Sequence, residues 1–227
     1  MTDVLALADD ALIAAQRLSW WCSRAHDLEE DIALANIALD QLGAARLLLT
    51  YAGELEGAGR DEDALAYRRG PDEFRNCLLV EQPDEDFAWA ITRLLFLSAY
   101  QWLRYTELAA GPDPRLAEIA ARAVKESAYH LDHARMWTIR LGDGTPESRV
   151  RMQAAVDGLW PFTTELVENR PAWLEIVDGA LAAATLERPT DLADPPTGGR
   201  EGRHTPHLAE LLAEMQELHR AHPGVTW

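Results

Sequence analysis

The strongest constraint on this chain is one uninterrupted segment bracketed by Asp113-Pro114 and Gly142. Asp113 can accept hydrogen bonds from the first free amides of a helix, Pro114 suits the first helical position, and Gly142 supplies a stop. No proline or glycine interrupts the roughly 28 residues between them, which would span ~42 Å as an α-helix. That is the length of a bundle helix, and such a helix must bury an apolar stripe against other long helices.

The remaining sequence repeats the pattern. A first helix is predicted from Asp3 to Ser23, with Leu7, Ala11, Ala14, Leu18 and Cys22 on one face and Asp9 and Asp10 off it. A second opens at the cap Asp27 and runs to about Leu55, closed by Gly57 and Gly59. Arg60 to Pro83 reads as a polar connector with a short helix. A third long helix starts at Asp84 and stops at Gly111-Pro112; the Asp113 helix is the fourth. A fifth begins at Thr145-Pro146 and is kinked by Pro161. Another covers about Ala172 to Leu186, and the last runs from Thr205-Pro206 to near His222. Residues 188–203, rich in proline and glycine, are expected to form a mobile surface loop. No alternating segment calls for a strand. The expectation is an all-α fold: a four-helix bundle with additional C-terminal helices, in a single domain over residues 1–227.

Charge narrows the function. With 21 basic and 38 acidic residues the net charge is −17, which repels phosphate backbones and excludes nucleic acid as a partner. The charge-free stretch Leu94 to Leu103 is about half of what a membrane span requires. Met1-Thr2-Asp3 lacks the basic start and apolar run of a secretory signal. Cys22 and Cys77 are too few for a disulfide framework and suit reduced thiols. The expected location is cytoplasmic, with no membrane partner.

A long bundle raises the question of a metal pair, because di-iron carboxylate proteins place a Glu on each of two helices and a Glu-x-x-His pair on each of the other two. Only Glu201 precedes a histidine, His204, by three residues, and it lies in the glycine-rich loop. Helix three carries no acid from Phe87 to Thr106. On helix two the polar residue at the centre of the apolar face is Gln41, whose neutral amide supplies no charge to an iron ion. Helix four holds the most suggestive group, Glu126, His130 and His133. His130 falls in the apolar stripe and the other two flank it. This group reads either as a remnant of a metal site or as a core histidine held by a carboxylate. Helix three, apolar around well over half its circumference, is covered either by the bundle or by another subunit.

Four separated strings carry a family resemblance. They are Leu34-Ala35-Asn36-Ile37-Ala38-Leu39-Asp40-Gln41-Leu42-Gly43-Ala44-Ala45-Arg46; Leu79-Val80-Glu81-Gln82-Pro83 with Phe87-Ala88; Lys125-Glu126 with Tyr129-His130-Leu131; and His204-Thr205 with His207-Leu208 and Leu211 to Gln216. In this order they resemble the C subunits of the multicomponent ring 1,2-phenylacetyl-CoA epoxidases, also called phenylacetate-CoA oxygenases. The resemblance covers nearly the whole chain and is weakest from about Glu187 to Gly202. It implies a ferritin-like bundle that pairs with a catalytic A subunit. That partner holds the di-iron centre and phenylacetyl-CoA, and draws electrons from a reductase that this chain meets only indirectly. The related catalytic chain has Asp-Glu-Leu-Gly-His where this one has Asp40-Gln41-Leu42-Gly43-Ala44, so the resemblance implies that Gln41 and Ala44 stand at lost-ligand positions. No catalytic, cofactor-binding or metal residue is carried over, and the implied role is structural. Two other readings suit a bundle of this kind: a free-standing di-metal oxidase built on Glu126, His130 and His133, and a helical stress or storage protein.

Overall fold

The computed structural model describes residues 4–166, 169–223 and 225. Among them lie the α-helices α1 (Val4–Ser19), α2 (Leu28–Glu56), α3 (Glu62–Tyr67), α4 (Leu78–Glu81), α5 (Phe87–Ala109), α6 (Pro114–Gly142), α7 (Pro146–Leu159), α8 (Arg170–Ala183) and α9 (Pro206–Ala221), with short 3-10 segments and no strand. The all-α class is borne out, and the long paired helices are consistent with a ferritin-like fold. The chain forms two compact units, Met1–Pro83 with Gly198–Trp227, and Asp84–Thr197.

In the first unit α1 and α2 pack as a hairpin, and α3, α4 and α9 close around it. Asp27 caps α2 by accepting from the Glu30 amide at 2.8 Å, and Gly57 ends it in the left-handed conformation that glycine adopts without steric cost. α1 ends earlier than expected, since after Ser19 the chain turns through Ser23 at φ 68°; the expected start, Asp3, lies outside the described residues. The placement of Asp9 and Asp10 is corrected in kind. They lie off the Leu7, Ala11, Leu18 face, yet both are fully buried, because α1 is enclosed on all sides. The segment read as a polar connector is likewise core. Phe74, Asn76, Cys77, Leu79, Val80 and Glu81 are inaccessible to solvent.

In the second unit α5 packs against α6, α7 and α8, and residues 90–99 are all buried. The apolar surplus of this helix is therefore covered within the chain. Its start is later than predicted. Asp86, not Asp84, caps it by accepting from the Ala88 amide at 2.9 Å, while Asp84 pairs with the buried guanidinium of Arg93 at 2.6 Å. Asp113 caps α6 through the amides of Arg115 and Leu116, both at 3.0 Å. Pro161 acts as expected: α7 gives way at Trp160 to a 3-10 segment ending at Leu166. The Phe96, Trp160 and Trp173 rings cluster with centroids 5.6–5.7 Å apart, and the Trp173 indole donates to the Phe96 carbonyl at 2.9 Å.

The ends of α6 and α8 meet closely. A Cβ on Gly142 would lie 2.3 Å from the Ala184 carbonyl oxygen, whereas one on Gly179 would meet nothing within 4 Å. Gly142→Ala is expected to cost about 1–3 kcal/mol by overpacking. Gly179→Ala, inside α8, is expected to be neutral or to stabilise by up to ~1 kcal/mol. Urea unfolding of the two variants checks the contrast, and equal midpoints would contradict this packing.

Candidate functional site

The positions singled out from sequence fall on two helices in different units. On α2, Gln41 and Ala44 are both buried, 3% and 8% exposed. On α6, His130 and His133 are buried, and the Glu126 carboxylate accepts from Arg122 Nε at 2.9 Å, one helical turn back. Among the described residues no group of three or more His, Cys, Asp and Glu side chains is placed to hold a metal ion. The one acid of α5, Glu107, sits exposed near the helix end beside Arg104, and Gln41 is neutral. The acids of α1 are engaged elsewhere.

That engagement is the densest polar feature of the first unit. Arg69 forms a two-pronged pair with Asp9, both groups essentially inaccessible. Asp9 also accepts from the Arg75 amide at 2.8 Å. Arg200 reaches Asp10 with two bonds of 2.9 and 2.7 Å, and Asp10 accepts from the Cys77 amide at 2.7 Å. Two arginines thus neutralise the two acids of α1 and tie the 69–77 segment and the Gly199–Glu201 turn to it. Burial pushes the Asp9 carboxyl above its ordinary value, against the opposing pull of Arg69 and the Arg75 amide.

Beside this pair lies a second cluster that the sequence reading missed. Glu81, fully buried, accepts from the Thr205 amide at 2.7 Å and from Asn76 Nδ2 at 3.0 Å, and faces His204 Nδ1 at 2.8 Å. The other ring nitrogen of His204 lies 3.1 Å from the Phe74 carbonyl. A carbonyl only accepts, and Glu81 already accepts two further N–H groups. The carbonyl contact places a hydrogen on Nε2 of His204, so that both ring nitrogens and both Glu81 oxygens are engaged in one buried hydrogen-bond cluster. Glu201 takes no part: it pairs with Arg203, and the Glu201-x-x-His204 spacing brings nothing together. The available signal was Glu81 itself, an acid directly after the apolar run Leu78-Leu79-Val80. An acid there is either exposed on a short helix or buried with partners, and the burial of its neighbours selects the second.

The fold and these sites define an all-helical protein in which the two buried acids of α1 are bound by arginines. The profile of the phenylacetic acid catabolic protein family matches residues 1–172 and 168–227. The chain is 45% identical over 242 aligned residues to the C subunit of the 1,2-phenylacetyl-CoA epoxidase of Escherichia coli (strain K12), covering 98% of this chain and 97% of that protein. The chain belongs to the phenylacetic acid catabolic protein family, as its four sequence strings led one to expect.

Proposed function

We propose that this chain is the non-catalytic, structural subunit of a cytoplasmic ring 1,2-phenylacetyl-CoA epoxidase, and that it supports a catalytic A subunit in which the di-iron centre resides. The observation that carries this reading is that both α1 acids are bound by arginines. The resemblance adds that Gln41 and Ala44 stand where the related catalytic motif carries Glu and His. A divalent metal pair needs several carboxylates free to bridge it, and these residues do not fit that need. The −17 charge supports the same division of labour, since the phosphates of a CoA ester are better held by a less acidic partner. The relative's name, an epoxidase subunit, supports a hetero-oligomer, with the reductase met only through that assembly.

The test is co-expression with a catalytic A subunit of such an epoxidase, followed by elemental analysis of this chain alone and of the complex. The expected result is co-purification, with iron in the complex and none retained by the isolated chain. Near-stoichiometric iron or manganese in the isolated chain would instead establish the di-metal oxidase reading.

A further inference from the structure

The outer face of α2 does not look like the solvent side of a helix. Leu28, Ile32, Leu39 and Leu42 recur there at helical spacing, and they are 69%, 53%, 64% and 41% exposed. They line ~21 Å of helix at about 1.5 Å per residue. By length and composition α2 is apolar enough to cross a membrane, with a mean hydropathy of 1.4 over 18 residues, yet only 44% of that stretch is buried in the chain. An apolar stripe this continuous marks an interaction surface more often than solvent-facing structure.

A second feature is independent of the first. Gly43, in the middle of α2 and on this same face, has nothing within 4 Å of where a Cβ would stand. Glycine weakens a helix interior, and no neighbour in the chain requires it there. It leaves room for a backbone to approach closely from outside. At the end of the stripe, Leu42 and Arg46 line a groove of about 460 Å³ together with Tyr67, Leu218 and His219. A groove beside an apolar seam is suited to a large anchoring side chain.

We infer that the face of α2 from Leu28 to Arg46 seats an apolar helix of a different chain, whose seam is flanked by basic side chains. Charge selects this occupant. Asp27, Glu29, Asp31 and Asp40 border the stripe, and the whole chain carries −17. A second copy would bring like charge to like charge, and an anionic membrane leaflet would meet the same repulsion. A basic-flanked helix is attracted. On the reading proposed above, that helix belongs to the catalytic A subunit.

The experiment compares wild type, Leu39→Glu and Gly43→Leu for binding to the A subunit, alongside the thermal midpoint of each free chain. Both positions are open, so the midpoints are expected to stay level, or to rise for Gly43→Leu, while affinity falls about tenfold or more in each variant. Binding unchanged in both variants, with wild type also bound, overturns the α2 surface and leaves the structural-subunit reading standing. No binding by wild type removes that reading and this occupant together. Light scattering that shows a wild-type dimer broken by Leu39→Glu, or flotation with phosphatidylserine vesicles lost in the same variant, overturns the heterologous helix in favour of a second copy or a membrane.

Discussion

Glu81→Ala is expected to lower the unfolding free energy by about 3–5 kcal/mol, because several partners of one buried side chain lose it together. The loss has a definite structure. The Glu81 carboxyl, itself fully buried, serves the Thr205 amide, Asn76 Nδ2 and His204 Nδ1. Alanine leaves them together without that acceptor, and a buried donor left unmade costs about 1–3 kcal/mol. Glu81→Gln retains one acceptor oxygen but turns an amide N–H₂ toward a donor, so it is expected to lose less than alanine while remaining measurably destabilised. Urea unfolding gives the magnitudes. Hydrogen exchange gives the location, because Thr205 immediately precedes α9. Amides of α9 should exchange faster in Glu81→Ala, while those of α5 and α6 keep their protection. Uniform acceleration across the chain would show that Glu81 is not a local anchor.

Such an anchor illustrates what a sequence gives up easily and what it withholds. The caps Asp27 and Asp113 were legible because a cap is a local event: the side chain accepts from an amide two or three residues ahead. The proline at 161 and the glycine at 57 were legible for the same reason. Asp84 and Asp86 show the limit of local reading. Both can cap α5, and the choice between them is made by Arg93, which draws Asp84 away. Periodicity located the principal face of α1 but gave no account of its other sides. Val4, Ala6, Ala8, Leu12, Ile13 and Ala15 make that helix apolar all round, which was the available sign that Asp9 and Asp10 are enclosed too.

The candidate site divides along the same line. That Gln41 is neutral and Ala44 has no ligand atom is a matter of composition at a motif, readable without coordinates. That Glu81 meets His204 is a contact across 123 residues, and no spacing rule reaches so far. The nearer acid, Glu201, satisfied the Glu-x-x-His spacing and turned to Arg203 instead. Spacing of three brings side chains together only on a helix, and His204 lies outside one. The two strings Leu79–Pro83 and His204-Thr205 were recognised as separate marks of the family, and the fold makes them one cluster.

Arg69→Met is expected to cost about 3–5 kcal/mol at neutral pH, with most of that loss absent in mild acid. Methionine fills much of the volume but leaves the Asp9 carboxyl buried against the Arg75 amide without its counter-charge. Burial already holds this carboxyl above its ordinary value in the wild type, and Arg69 is the main influence pulling it down. Removing Arg69 therefore raises it further. An acid whose folded value is raised keeps its proton in the native state at pH values where the unfolded chain has released it, so stability falls as pH rises. The contribution is whole below the unfolded value, near pH 4, and is lost as pH climbs through the raised folded one. Arg69→Met should thus extend the decline to higher pH than in wild type. Urea unfolding at about pH 4.5 and pH 7.5 reads the difference directly: a larger deficit at the higher pH is expected. The double variant Asp9→Asn with Arg69→Met removes the titrating group and should flatten that dependence while recovering part of the stability, as replacing both members of a buried pair often does. A deficit of the same size at both pH values would mean that Arg69 acts through its pH-independent contacts, its donation to the Leu65 and Glu73 carbonyls and its packing on the Phe74 ring 4.1 Å away, and not through the charge on Asp9.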